Sequence, residues 1–214
     1  MTDAAAFVRA NTAVATPPLV PEIRLHLATE ITPIWQASEE TLARAGLPPP
    51  FWAFAWAGGQ ALARYLLDRP ETVAGRDVLD LGSGSGLVAI AAARAGAAKV
   101  TAAEIDPFAA AAIAENAALN RVAVTVVAED LLAGERSWPV IAAADVCYEQ
   151  PMAGQVTSWL RRRAARSLVL LADPGRAYVP ADGLVELARY DVPTSRELED
   201  RETRETTVWR VMPA

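Results

Sequence analysis

The residues with the clearest chemical potential run Val78-Leu79-Asp80-Leu81-Gly82-Ser83-Gly84-Ser85-Gly86. An apolar run ends in three alternate glycines, and an Ala-rich helical pattern begins at Leu87. This is a buried strand, a tight loop and a helix, the opening of a βαβ unit. Gly82, Gly84 and Gly86 let the backbone approach a ligand closely, and the new helix turns its unpaired N–H groups toward it. The spacing is Gly-x-Gly-x-Gly, so the dinucleotide pattern Gly-x-Gly-x-x-Gly is absent, and no Gly-Lys-Ser/Thr marks a P-loop. Asp80, just before the turn, repels a pyrophosphate but suits an ammonium. A second strand ends at Glu104, about 20 residues on, where a ribose-binding carboxylate is expected. Its neighbour Ile105 is grouped with it in the cofactor site. In Glu129-Asp130 a carboxylate, Asp130, is placed to accept from an adenine amino group. An adenosyl group joined to an amino acid meets all these demands, which describes S-adenosylmethionine. The plainer reading is an ordinary strand-to-helix turn.

These residues need elements to carry them. The chain has 214 residues, 52% of them hydrophobic, enough for one domain with a large core. The pattern gives a helix over Ala4–Ala15, a strand over Glu22–Thr29 and a helix over Pro33–Ala45 ending at Gly46. Further helices are expected over Gln60–Leu67, Leu87–Ala95, Pro107–Leu119, Met152–Arg163 and Asp182–Ala188. Strands are expected at Lys99–Ile105, Ala123–Val127, Ser137–Ala144 and Ser167–Ala172, with two late extended stretches, Tyr190–Leu198 and Glu205–Met212. Alternating β and α units imply an α/β, doubly wound parallel sheet covered on both faces. The last two strands, with no helix between them, form an antiparallel hairpin. Residues 1–56 make an N-terminal appendage and aromatic lid, and 57–214 a nucleotide-binding core, in a single domain. Ligands in such sheets bind beyond the carboxyl ends of the strands, and Asp80, Glu104, Asp130 and Asp145 all fall there.

Between appendage and core lies Pro48-Pro49-Pro50-Phe51-Trp52-Ala53-Phe54-Ala55-Trp56-Ala57-Gly58-Gly59-Gln60. Its aromatic residues are either core or a lid that packs on a cofactor and lines a cation channel, since an aromatic face attracts a sulfonium or an ammonium. Trp56 is the favoured cofactor contact and Trp52 a substrate contact. His26, on the polar face of its strand, is a bystander rather than a base. Arg161-Arg162-Arg163 sits at a helix end, where cations complement the dipole.

The net charge of −6 argues against a nucleic-acid backbone as partner. A single Cys and a single His leave no disulfide, no cysteine-based zinc site and no Ser-His-Asp triad, and no metal is expected. No run of about 18 apolar residues suggests a membrane span, and no apolar signal core opens the chain. A monomer in the cytoplasm is expected. Lys99 is the sole lysine. That bias fits a GC-rich genome, or avoidance of self-modification by an enzyme acting on lysine.

At these residues the chain resembles the Rossmann-like, seven-strand S-adenosylmethionine-dependent methyltransferases. More narrowly it resembles the protein methyltransferases with Asp-x-x-Tyr after the fourth core strand, here Asp145-Val146-Cys147-Tyr148. Pro50-Phe51-Trp52-Ala53-Phe54, Trp56-Ala57-Gly58-Gly59-Gln60-Ala61-Leu62 and Asp173-Pro174-Gly175-Arg176 are similar to the lysine methyltransferases of the electron-transfer flavoprotein β subunit. Ala57 departs from the proline expected before the glycines, and Pro139 from an acid. The resemblance implies a protein-lysine N-methyltransferase acting on the flavoprotein β subunit, with S-adenosylhomocysteine as product. A small amine or a ribosomal protein is the alternative acceptor, and a non-catalytic nucleotide-binding module the alternative class.

Methyl transfer to an amine needs a neutral nucleophile held in line. A lysine with pKa ~10.4 costs about 4–5 kcal/mol to deprotonate at pH 7. A carboxylate beside it raises that pKa further. Asp145 is therefore expected to orient the amine rather than to activate it, with a strand-end cap or a cofactor contact as the plainer roles. Tyr148 is expected to shape the channel and exclude water. Glu149 is expected to bind the lysine or to cap a helix.

Overall fold

The computed structural model describes residues 3–29, 32, 34, 49–194 and 201–214. Helix α1 (Ala4–Asn11) is capped by Asp3, which accepts from the Ala5 amide. The expected helix to Ala15 stops early. The Asn11 amide group and the Thr12 hydroxyl donate back to the carbonyls of Phe7 and Val8, satisfying the helix end. The chain then enters β1 (Ala13–Ala15), which pairs antiparallel with β2 (Leu25–Leu27). The alternation read over Glu22–Thr29 holds, with Ile23, Leu25 and Leu27 buried, although only three residues are in the ladder. The helix expected over Pro33–Ala45 and the end of the Tyr190–Leu198 stretch fall largely outside the described residues.

The core follows as α2 (Ala57–Asp68), β3 (Asp77–Leu81), α3 (Leu87–Arg94), β4 (Lys99–Ala103), α4 (Pro107–Asn120) and β5 (Thr125–Val127). It continues with β6 (Val140–Ala144), α5 (Met152–Arg163), β7 (Leu168–Asp173), β8 (Leu184–Pro193) and β9 (Thr203–Val211). The seven-stranded sheet has the order β5-β4-β3-β6-β7-β9-β8. Neighbours from β5 to β7 are parallel, whereas β9 is antiparallel to both β7 and β8. This is the mostly parallel sheet with an antiparallel C-terminal hairpin that the sequence implies. Strand order reverses between β3 and β6, which opens a crevice at their carboxyl ends.

Side chains alternate across the sheet with period two. Val78, Val140, Ala142, Leu170 and Ala172 join a cluster with Leu62 and Leu66 of α2 and Val88 of α3. Leu79, Ile141, Ala143, Val169 and Leu171 face the other way, onto Val156, Trp159 and Leu160 of α5. Both faces are therefore apolar, which is why these strands read as continuous hydrophobic runs.

One expected element is overturned. Asp182–Ala188 reads as a helix, yet Leu184–Pro193 is strand. Leu184 and Leu187 have helical spacing, but a bulge between Glu186 and Ala188 shifts the alternation by one residue. Pairing with β9 along the whole strand outweighs the helix propensity of Leu, Glu and Ala. Pro139 delays β6 to Val140 and contributes only its carbonyl, which accepts from the Leu168 amide.

Candidate active site

The loop after β3 is bound to β4 through its own backbone, because the amides of Gly82 and Ser83 both donate to the Ala103 carbonyl. Gly82, Gly84 and Gly86 have φ of 67°, 53° and 82°, left-handed values that favour glycine. A Cβ on Gly84 would meet nothing within 4 Å, so the loop presents open backbone. Gly86 differs. A Cβ there would approach Ile113 of α4 at 3.2 Å, and its place is in helix packing at the start of α3 rather than on the cavity wall.

Asp80 closes this turn from within. It is 1% exposed, and its Oδ2 accepts from the Ser83 hydroxyl at 2.5 Å and the Ala89 amide at 2.9 Å. Burial pushes its carboxyl up to about 6, against the lowering effect of these two hydrogen bonds, and the charge of Glu104 adds to the rise. Glu104 reaches across from β4. Its Oε2 accepts from the Gly84 amide at 3.0 Å and its Oε1 from the Ile105 amide at 2.8 Å. The acid at the second strand end is thus held beside the glycine loop. Asp130 also lines the cavity, with Oδ1 accepting from the Leu132 amide at 2.8 Å.

The cavity over these strand ends has a volume of about 590 Å³, within the range of small-molecule sites. All the expected site residues except Gly86 line it: Trp52, Trp56, Asp80, Gly82, Gly84, Glu104, Ile105, Asp130, Asp145, Tyr148 and Glu149. They differ in how they do so. Trp52 is 2% exposed and packs with Val8, Ala53 and Ala112, so it forms an inner wall rather than a surface contact. Trp56 donates its indole N–H to the Phe51 carbonyl at 2.8 Å, and its ring meets Phe51 and Phe54 edge-on at 6.0 and 5.7 Å. Phe51 and Tyr148 touch at 5.6 Å and are both exposed, which makes an aromatic rim. Burial raises the Tyr148 phenol above its ordinary range, helped by Glu149 and Glu104 and opposed by Arg176. Glu149, Glu129 and Asp130 are exposed and give the opening an acidic lining. His26 is half-buried in β2 beside Thr12 and does not line the cavity.

Asp145 has a more definite occupation than sequence allowed. Its backbone is left-handed, with φ of 56°, directly after β6. Its Oδ1 accepts from the Gly58 amide at 3.1 Å and its Oδ2 from the Gly59 amide at 2.7 Å. These are second- and third-position amides of α2, whose own N-cap, Trp56, offers no side-chain acceptor. Arg176 also pairs with Asp145 through Oδ1. Three of the roughly four acceptor directions of a carboxylate are therefore filled. The strand-end cap that the sequence left open as a plainer role is made, on a helix far back in the chain.

Arg176 is the main residue that sequence reasoning left without a role. It also reaches Asp173 Oδ2 at 3.4 Å, and its guanidinium lies 5.9 Å from the Trp56 ring centre. Its place just after a strand ending in Asp-Pro-Gly was the available signal. Burial drives the Asp173 carboxyl up to about 6 despite this neighbour. Cys147, behind the site, is buried, and its thiol is pushed up to about 12, which leaves it no thiolate character.

The donor set suits S-adenosylmethionine. Asp80 and the glycine loop match an amino-acid end, Glu104 a ribose, Asp130 an adenine amino group, and the aromatic wall a sulfonium. Solved structures agree on the architecture. The magnesium protoporphyrin IX methyltransferase of Synechocystis PCC 6803, determined with bound SAM, superposes with a TM-score of 0.54 at 14% identity, over 73% of this chain and 78% of that one. Ribosomal protein L11 methylase from Lactobacillus delbrueckii subsp. bulgaricus gives 0.51 at 22% identity, over 73% and 79%. The family model for ribosomal protein L11 methyltransferase (PrmA) matches residues 60–147. Over 97% of its length the chain is 38% identical to the electron transfer flavoprotein beta subunit lysine methyltransferase of Xenopus laevis, covering 86% of that protein. The human counterpart is 37% identical over 97% of this chain and 82% of its own length. With the fold, the cofactor cleft and these relatives in agreement, the chain belongs to the electron transfer flavoprotein beta subunit lysine methyltransferases, enzymes that use S-adenosylmethionine.

Proposed function

We propose that this enzyme methylates lysine side chains of the electron transfer flavoprotein beta subunit. The observation that carries the reading is the similarity over 97% of the chain, appendage and aromatic rim included, to relatives named for that substrate. The family model for ribosomal protein L11 methyltransferase matches residues 60–147, which leaves out the appendage, the aromatic segment, Tyr148 and Glu149.

When bound, S-adenosylmethionine supplies a methyl on a positive sulfur, which a neutral amine displaces in line, leaving S-adenosylhomocysteine. The chain's part is to deliver that amine. Glu149 and the acidic lining attract a lysine ammonium to the opening. Phe51 and Tyr148 hold its alkyl stem and cationic head by ring contact. The proton leaves to water before the amine passes the rim, since the carboxylate of Asp145 is already engaged by two amides and a guanidinium. Tyr148 keeps water from following. Asp145 directs the amine through its one remaining acceptor position.

The enzyme acts as one methyltransferase domain, a cytoplasmic monomer, with residues 1–56 as its N-terminal appendage and aromatic lid. Its net charge of −6 supports a protein rather than a nucleic-acid or anionic membrane partner. The test is intact mass of purified flavoprotein β subunit incubated with the enzyme, with and without S-adenosylmethionine. Cofactor-dependent gains in whole-methyl steps, lost with Asp80→Ala, are expected. No gain while S-adenosylhomocysteine still binds would overturn this substrate.

A further inference from the structure

We propose that Arg176 is a positioning residue for the acceptor half of the site. It holds Asp145 on the amino end of α2 and braces Trp56, so that the lid and the carboxyl ends of β6 and β7 form one rigid wall.

Three separate parts of the chain meet at this guanidinium. Asp145 follows β6, Asp173 ends β7, and Trp56 closes the aromatic segment before α2. Arg176 pairs with both carboxylates and lies against the Trp56 ring. The side chains are largely removed from water, with exposures of 19% for Arg176, 11% for Asp145 and 0% for Asp173. Both carboxylates meet the same Nη1, and an arginine suits this position because its rigid guanidinium holds that nitrogen between them while its plane lies over an aromatic ring. A lysine offers a point charge and no such plane.

Removing the guanidinium would leave two carboxylates facing one another, with the Gly58 and Gly59 amides on Asp145 and the backbone amide of residue 176 on Asp173. Asp145 is also held in a left-handed conformation, which an aspartate adopts more readily than most residues but still at some cost. Freed from Arg176, that conformation relaxes and the Gly58 and Gly59 amides lose their acceptor. The tolerance for movement is small, because a Cβ on Gly58 would already lie 2.6 Å from the Ala172 carbonyl oxygen. The helix end and the strand ends are in direct contact, so a shift in one displaces the other.

Location assigns this wall to the acceptor. The glycine loop and Glu104 belong to β3 and β4, which bind the cofactor, whereas β6 and β7 lie on the other side of β3 in the sheet. Tyr148 and Glu149 follow Asp145 on that side. The identity of the acceptor rests on the function proposed above; the bracing does not.

The test compares Arg176→Gln, Arg176→Lys, Asp145→Asn and the Asp145→Asn/Arg176→Gln double variant. Arg176→Gln is expected to lower kcat about a hundredfold, as a displaced reacting geometry does. S-adenosylhomocysteine affinity, read by calorimetry, should stay within about threefold. Amide hydrogen exchange in the segment 54–62 should accelerate about tenfold through local opening. Arg176→Lys should fail to restore turnover, and the double variant should be no worse than its worse parent. Full turnover in Arg176→Lys, additive losses in the double variant, or unchanged exchange at 54–62 would each overturn the proposal. Exchange and calorimetry need no acceptor, so they judge the bracing even if the flavoprotein β subunit proves not to be methylated.

Discussion

Asp145 Oδ2 lies 2.7 Å from the amide nitrogen of Gly59, which precedes it by 86 residues. Asp80 stands in the same relation to Ala89, accepting its amide at 2.9 Å near the start of α3. Neither helix has a capping side chain at its own N-cap, Trp56 for α2 and Gly86 for α3. An acid from a strand end, Asp145 after β6 and Asp80 within β3, caps each instead. The two carboxylates thus place the two helix ends that border the cleft.

Gly58 is where this arrangement leaves least room. A Cβ would meet the Ala172 carbonyl at 2.6 Å and Asp145 Oδ2 at 2.7 Å, both sterically forbidden. Gly58→Ala should lower stability by about 1–3 kcal/mol, as overpacking does. A thermal melt measures this, and turnover should fall with it because the helix end must move off Asp145. Gly59→Ala meets only ordinary contacts, the nearest at 3.8 Å, and should melt close to the parent.

Asp80 predicts a pH effect of known sign. Burial raises its folded-state carboxyl above the ordinary carboxylate range to about 6, so the folded state binds the proton more tightly. The associated stability is fully present below the unfolded value and is lost as pH rises through about 6. Asp80→Asn removes the buried charge, so its melting temperature should exceed the parent's at pH 8 and converge with it near pH 4. Its affinity for S-adenosylmethionine should be lower at pH 8, since the ammonium partner is gone. Melts across this range that stay parallel would refute the assignment.

Glu104 ties the glycine loop to the end of β4 and is the proposed ribose partner. Glu104→Ala removes acceptors for the Gly84 and Ile105 amides together with the ribose partner. A hydrogen bond to a charged group contributes about 1.5–3 kcal/mol, so S-adenosylhomocysteine binding should weaken by roughly tenfold to a hundredfold. Calorimetry at fixed pH reads this directly. An affinity unchanged by the substitution would remove Glu104 from the site.

Phe51 and Tyr148 form the exposed rim, 5.6 Å apart. Replacing either with Ala should raise KM for the protein acceptor while leaving S-adenosylhomocysteine affinity unchanged. An aromatic contact to a cation is worth about 0.5–2 kcal/mol, so a rise of roughly three- to thirtyfold is expected. Steady-state kinetics with the flavoprotein β subunit separate the two constants. A loss of cofactor affinity instead would move the rim to the donor side.

Most of the parallel core was legible because its strands are apolar on both faces and its turns carry glycine. Val78–Ala91 shows strand, turn and helix within fourteen residues of local chemistry. Asp182–Ala188 was misleading because its leucines have helical spacing and the bulge at Glu186/Ala188 is set by β9, about twenty residues away. The site was legible where acids end strands, as at Asp80 and Glu104. The partners of Asp145 were not. Nothing local connects it to Gly58 and Gly59, and only the fold brings them together. Gly86 illustrates the opposite error, since a glycine motif marks ligand approach and helix packing alike, and only Ile113 reveals which. Trp52 was similarly ambiguous between rim and core, and the core took it.

The acidic lining of the cleft has a consequence for turnover. The methyl donor carries one more positive charge than the by-product it becomes, and the amine that receives the methyl carries that charge out. A mouth bearing Glu129, Asp130 and Glu149 therefore favours the fresh donor over its own residue. Added salt weakens that preference, because the exposed carboxylates are screened. Product inhibition of this enzyme is thus expected to grow with ionic strength, through three side chains that take no part in bond making.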